Sequence, residues 1–125
     1  MDISTYLNGS EIAVWHRIPG TNVEVKVRLL KPGKMRDVLA RSKKMRYNGR
    51  RSEEYTDQAE LNRIILDEVV VDWKNIERDG SPLPCTAENK RLLDDNWPAF
   101  STAWNSAWAA MSEDAREEKE EEVKN

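Results

Sequence analysis

Residue types that usually carry catalysis or bind metal are scarce in this chain of 125 residues. His16 is the only histidine and Cys85 is the only cysteine, so no catalytic triad, Cys–His pair or zinc site can be assembled from them. We interpret His16 as a structural or surface residue and Cys85 as a small packing residue. The sequence therefore predicts a protein that is not an enzyme and that uses no metal or cofactor.

Carboxylates and glycines do not change this expectation. Asp72 and the neighbours Asp94 and Asp95 are candidates for binding a cation, but the chain has no Asp-x-Asp-x-Asp-Gly loop with a trailing glutamate. The five glycines are scattered, so they form no phosphate-binding loop. We therefore expect the chain to act by binding another macromolecule.

The composition is typical of one small folded domain. Hydrophobic residues make up 38% and charged residues 34% of the chain, a balance that favours a globular protein over a disordered or membrane protein. No apolar run approaches the roughly 20 residues that a bilayer requires, and the N-terminus lacks the pattern of a secretory signal. We predict a globular domain at residues 1–111 and a charged tail at residues 112–125, either an extended helix or a frayed one.

Charge is distributed unevenly along the chain. Residues 31–51 contain nine Lys or Arg and one acid, a local charge of 9 − 1 = +8, whereas residues 112–125 carry 3 − 7 = −4. Clustered cations can neutralise phosphates, and Tyr47 could stack on a base. The candidate basic patch consists of Arg41, Lys43, Lys44, Arg46, Arg50 and Arg51. We favour a solvated or protein-binding surface over nucleic acid, because the sequence pI is about 5.3 and no nucleic-acid motif is present.

Secondary structure begins with two predicted strands. Residues 11–18 are apolar and β-prone, residues 19–22 have turn chemistry, and residues 23–29 alternate between apolar and charged side chains. Four helices are predicted after this hairpin: one from about 35 to 48, one capped by Ser52 from about 53 to 73, one capped by Thr86, and one from about 97 to 111. The predicted fold is α+β, mainly α, with an N-terminal two-stranded antiparallel hairpin packed on three or four helices.

An aromatic stripe follows helical spacing near the C-terminus. Three of the five tryptophans lie in this one predicted helix, and tryptophan is common both in cores and at the centres of interfaces. The stripe either packs on the helix at 53–73 or leaves part of its surface for a partner. Its candidate partner-binding residues are Trp97, Phe100, Trp104, Trp108 and Met111.

The most informative pattern lies between residues 70 and 93. Its parts are Val70, Trp73 and Ile76; the run Asp79-Gly80-Ser81-Pro82-Leu83-Pro84; the run Thr86-Ala87-Glu88-Asn89; and Leu92-Leu93. This order resembles the tail assembly chaperones of long-tailed bacteriophages (siphoviruses) and prophages. The resemblance covers roughly residues 61–111, and it departs from the family at Cys85, where Phe or an aliphatic residue is frequent, and in the number of tryptophans.

The resemblance implies a function and a set of partners. Chaperones of this kind coat the tape-measure protein, a very long helical chain, and keep it soluble during tail assembly. The expected partners are therefore the tape-measure protein, with the tail-tube protein and further copies of the chain as additional candidates, in the host bacterial cytoplasm. The alternative function is a small nucleic-acid-binding regulator that uses residues 41–51.

Overall fold

The computed structural model describes residues 3–7 and 12–124. The predicted domain and tail therefore include residues 1–2, 8–11 and 125, which lie outside the described residues. In chain order the elements are α1 (Ser4–Leu7), β1 (Ala13–Arg17), β2 (Glu24–Arg28), α2 (Pro32–Arg41), β3 (Lys43–Asn48), β4 (Arg51–Thr56), α3 (Gln58–Val69), β5 (Val70–Lys74), β6 (Glu77–Arg78), β7 (Ser81–Pro82), α4 (Ala87–Asn96) and α5 (Pro98–Lys124). Helices contain more residues than strands, so the predicted α+β, mainly α class is confirmed.

The N-terminal hairpin forms as predicted, but it belongs to a sheet of three strands. Strands β1 and β2 pair antiparallel, with Val14 opposite Val27 and His16 opposite Val25. Gly20 takes a φ of 78° in the turn between them, a conformation that glycine adopts at little cost. Strand β5 pairs antiparallel on the other side of β2, which gives the order β1-β2-β5. The prediction of two strands missed β5.

The predicted helix at about 35–48 is wrong in its second half. Helix α2 begins at Pro32, a residue suited to the first helical turn, and it ends at Arg41. Residues 43–56 form an antiparallel hairpin, β3–β4, whose turn has a positive φ of 66° at Gly49. A positive φ at only the first central residue is the geometry of a type II′ turn, which matches the right-handed twist of paired strands.

The predicted helix at about 53–73 is too long at both ends. Ser52 lies inside β4 rather than at a helix start, and the N-cap of α3 is Asp57, whose carboxylate accepts from the Glu60 amide at 3.1 Å. Helix α3 ends at Val69 and the chain continues directly into β5. The run of three valines at residues 69–71 explains this end, because β-branched side chains fit a pleated strand better than a helix.

The C-terminal part follows the prediction closely. Asp79 and Gly80 both have positive φ, 53° and 82°, and form the type I′ turn of the short β6–β7 hairpin. Thr86 caps α4 by accepting from the Asn89 amide at 3.2 Å. Helix α5 continues through the charged segment to Lys124.

One hydrophobic core joins the sheet to the helices. The inward side chains of β2 pack with α3, β5 and α5, and the fully buried members include Val25, Val27, Val69 and Phe100. Helix α5 contacts β1 and β2, so it covers one face of the sheet. Among the described residues, none of the helices is long and apolar enough to cross a bilayer.

Candidate protein-interaction surfaces

The centre of the aromatic stripe belongs to the core. Phe100 is fully buried and Trp104 is 3% exposed. The Phe100 ring lies edge-on to the Trp73 ring at 5.9 Å between centroids and stacks against Trp97 at 6.3 Å. Such aromatic pairs stabilise the fold beyond the apolar area they bury. A partner could reach these two residues only after part of α5 had moved.

Polar contacts fix Trp104 in a single orientation. Its indole Nε1 donates to Asp94 Oδ1 at 2.9 Å, and the Ser101 hydroxyl donates to the same oxygen at 2.7 Å. Asp94 lies on α4, so these bonds join α4 to α5. Asp94, a candidate cation ligand in the sequence, therefore has a structural role in joining the two helices.

The border of the stripe is accessible. Trp97, Trp108 and Met111 are only partly buried where they pack against the core. Val14 lies opposite the buried Val27, on the sheet face that α5 covers, yet it is 46% exposed. Helix α5 therefore leaves the edge strand of that face incompletely covered. We call these accessible apolar side chains of α5 and β1 the strip beside α5.

Residues 70–93, which carry the family resemblance, form one interlocked unit. The Trp73 indole donates to the Leu83 carbonyl at 2.7 Å, and the Leu83 amide donates to the Ile76 carbonyl at 2.9 Å. The Asn89 side chain donates to the Pro84 carbonyl at 2.9 Å. These bonds hold the proline-stiffened segment between β5 and α4. These residues therefore contribute to the stability of the fold.

The basic patch lies mostly on the β3–β4 hairpin. All side chains from Lys43 to Glu54 are exposed, and within the described residues β3 and β4 make extensive contacts only with each other. Tyr47 is 81% exposed and Met45 is 52% exposed, on one face of the hairpin. A two-stranded hairpin without a covered apolar face is marginally stable. Any surface that covers the β3–β4 hairpin would therefore increase its stability.

Ion pairs divide the hairpin into a neutralised base and a cationic tip. Lys43 lies 3.3 Å from Glu54, and Lys44 lies 2.8 Å from Asp57, whose pKa it lowers through a hydrogen bond. Arg46 lies over the Tyr55 ring at 4.5 Å. Within the described part of the chain, no carboxylate pairs with Arg46, Arg50 or Arg51. The positive charge available to a partner is therefore concentrated at the tip.

Arg41, the first residue of the patch, has a different role. It donates to Glu68 Oε1 at 3.1 Å, Lys34 approaches the same oxygen at 3.4 Å, and Arg28 pairs with the other oxygen. Burial raises the pKa of Glu68, but the hydrogen bonds from Arg41 and Lys34 outweigh it and hold that pKa below 4.5, its ordinary value. This cluster joins β2, α2 and α3 beneath the hairpin.

His16 and Cys85, the only histidine and the only cysteine, are both partly buried. His16 is partly buried on the sheet face covered by α5, and burial raises the pKa of the Cys85 thiol to about 11. The thiol is therefore protonated near neutral pH and is not a thiolate nucleophile. Across residues 3–7 and 12–124, no group of three or more His, Cys, Asp or Glu side chains is arranged to hold a metal ion.

The exposure of Val14 and Met45 was not predicted from the sequence. Gly49, at the first central position of the turn, is the signal that could have revealed the hairpin. No comparable signal marks Val14, because its exposure depends on how far α5 extends over β1. No family model, curated protein or solved structure matches the sequence.

Proposed function

We propose that the protein is a phage or prophage tail assembly chaperone that binds the tape-measure protein and keeps it soluble in the host bacterial cytoplasm. The observation that carries the proposal is the interlocked unit at residues 70–93. Its Trp73–Leu83 and Asn89–Pro84 hydrogen bonds join the proline-containing segment of the family-like pattern to β5 and α4.

The strip beside α5 suits a helical cargo. Its members are Trp97, Trp108 and Met111 on α5 and Val14 on β1. A helix that lies in an apolar groove is anchored by a few large side chains on one of its faces. Tryptophan is the residue most enriched among such anchors. Phe100 and Trp104 of the same helix are buried in the core.

Co-expression with the tape-measure protein of the same phage or prophage tests the proposal. We expect the parent chain to raise the soluble fraction of that cargo. Trp108→Ala should weaken cargo binding by more than about 1 kcal/mol. Trp15→Ala is the matched control, because Trp15 pairs with Lys26 on the opposite face of the sheet.

Two outcomes would count against the proposal. A cargo that is equally insoluble with and without the chain would remove the chaperone function. A Trp108→Ala variant that folds and binds like the parent would remove the strip as the binding site. Genomic position offers an independent check, since the proposal expects the gene to lie next to that of a very long helical protein.

A second candidate function is nucleic-acid binding by the basic hairpin. Two-stranded ribbons can enter the major groove of DNA, and the hairpin tip carries three arginines without an ion pair among the described residues. This function predicts binding to duplex or single-stranded DNA that weakens steeply as salt rises. Absence of a mobility shift at low salt would exclude it.

A further inference from the structure

We propose that strand β1 pairs antiparallel with β1 of a second copy of this chain, so that the two three-stranded sheets join into one sheet across a twofold axis. The inference concerns the edge of the sheet and does not rest on the identity of the cargo. The pairing uses residues 12–16, all of which the structure describes. The members of the strip that lie on α5 take no part in it.

The backbone of β1 has polar groups that are unpaired on one side. Strand β1 is an outer strand in the order β1-β2-β5. The Leu29 amide donates to the Ile12 carbonyl at 2.8 Å, and hydrogen-bonded residues alternate along an antiparallel pair. The N–H and C=O groups of Ala13 and Trp15 therefore point away from β2. Within the described part of the chain, no hydrogen bond is made on that side of β1.

Charged side chains protect the other outer strands but not β1. Residues 12–16 contain no Asp, Glu, Lys or Arg. Strand β5, on the other side of the sheet, carries Asp72 and Lys74 and pairs with β2 through a shifted register. Both strands of the β3–β4 hairpin carry several charges. Charges and irregular pairing are the features that usually keep a sheet edge from pairing with another chain, so β1 is the edge best suited to such pairing.

The exposure of Val14 indicates that a strand can reach this edge. Val14 is 46% exposed although it lies on the sheet face that α5 covers. Helix α5 therefore does not extend over the outer side of β1 at this residue. A β-branched side chain suits a pleated surface and is stabilised by neighbours across a strand pair, so a second strand beside β1 would cover an apolar group that is otherwise left in water.

A second copy of β1 is the partner that fits this edge. With the twofold axis at Val14, each Val14 lies opposite its own counterpart in the closer, non-hydrogen-bonded position, about 4.5 Å between Cα atoms. Ala13 of one copy lies opposite Trp15 of the other, and these two residues exchange backbone hydrogen bonds. Ile12 lies opposite His16. Small side chains thus face large ones, and no like charges meet.

The length of the contact sets its expected strength. Five paired residues span about 17 Å, at roughly 3.4 Å per residue, and such a contact is smaller than a standard protein interface. We therefore expect a weak and reversible dimer. Its stability should change little with salt, because no charged side chain lies in residues 12–16. Since both copies use the same residues, the pairing closes at two copies.

Opposite charges at residue 14 provide the test, with sedimentation velocity of the full-length chain over a range of concentrations as the measurement. We expect the parent to form a reversible dimer. Val14→Lys and Val14→Glu should each weaken the dimer at least about tenfold, because like charges would lie directly opposite each other. An equimolar mixture of the two variants should dimerise again, because a lysine then faces a glutamate across the axis.

Met45→Lys and Met45→Glu are the matched controls. Met45 is also an exposed apolar residue in a strand, but it lies on β3, so both variants should dimerise like the parent. Ala13→Pro tests the backbone contact separately. Proline removes an N–H that points away from β2 and is tolerated at the first residue of a strand, so this variant should lose the dimer and keep the fold. Circular dichroism melts of every variant check that the fold is retained.

Three results would overturn the proposal. The first is a parent chain that stays monomeric at every concentration; if such a chain loses cargo binding on Ala13→Pro, the edge belongs to an extended segment of the cargo. The second is a folded Val14→Lys or Val14→Glu variant that dimerises like the parent, or a mixture of the two that stays monomeric. The third is association that continues beyond a dimer, since pairing about a twofold axis closes the edge.

Discussion

Helix α5 and the β3–β4 hairpin are both candidate binding surfaces, and they differ in how deeply their side chains are buried. The centre of the α5 stripe is core, with Phe100 fully buried and Trp104 bonded to Asp94. The hairpin has no buried side chain from Lys43 to Glu54. Large apolar residues at helical spacing thus mark the inside of the fold, whereas the segment without apolar periodicity lies entirely at the surface.

This contrast separates two kinds of contact. The border of the stripe, with Trp97, Trp108 and Met111 partly buried, is suited to an apolar helical partner that extends the existing core. The hairpin is suited to a charged partner and adds little to the stability of the domain. Substitutions in the two regions should therefore change different measurements.

The largest expected effect is at the centre of the stripe. Trp104→Ala removes a buried indole and its hydrogen bond to Asp94, and it should lower the free energy of unfolding by about 3–5 kcal/mol. Urea denaturation measures this change. Trp104→Phe is the matched control, since it keeps an aromatic ring while losing the donor. An unfolding free energy equal to that of the parent would show that the stripe is not core.

An intermediate effect is expected where the hairpin joins the domain. The fold lowers the pKa of Glu68 below 4.5, so its ionised form contributes stability that is present above pH 4.5 and is lost as pH falls through the lowered folded value. Glu68→Gln should therefore be less stable than the parent at neutral pH, and the difference should shrink on acidification. Thermal melts at several pH values provide the measurement.

The matched control for Glu68 is Glu77→Gln, an exposed residue in β6. It should leave the pH dependence of the melting temperature unchanged. A Glu68→Gln difference from the parent that stays constant from neutral to acidic pH would contradict the role assigned to the Arg28–Lys34–Arg41 cluster.

The smallest effect on stability is expected at the hairpin. Tyr47 is 81% exposed, so Tyr47→Ala should change the free energy of unfolding by less than about 0.5 kcal/mol. Urea denaturation provides the measurement. A strongly destabilised variant would show that the hairpin supports the core.

The elements predicted correctly are those with a local signal, such as alternating apolar and charged residues, a turn dipeptide or a helix N-cap. The valines of β2, the turn at Asp79-Gly80 and the Thr86 cap are local signals, and each is found where it was expected. The charged residues at 43–56 have no apolar face, so periodicity could not distinguish a helix from a hairpin there. The sequence pattern of α3 continued through β5 because the same apolar residues suit either structure.

The binding surfaces were harder to predict for a different reason. Whether Trp104 or Trp108 is exposed depends on the distance between α5 and the sheet, and on contacts such as that of Asp94. Such contacts join residues of different helices, so they cannot be predicted from the spacing of residues along one helix. The charge of the basic patch was visible in the sequence, but the pairing of Arg41 with Glu68 was not.

Amide hydrogen exchange of the full chain, alone and bound to the tape-measure protein at low salt, tests the separation of the two surfaces most directly. The account predicts that bound cargo slows exchange in α5 at residues 98–111 and in β1. It also predicts that bound cargo leaves exchange in the β3–β4 hairpin unchanged. Cargo that slows exchange only in the hairpin, and leaves α5 and β1 unchanged, would contradict it.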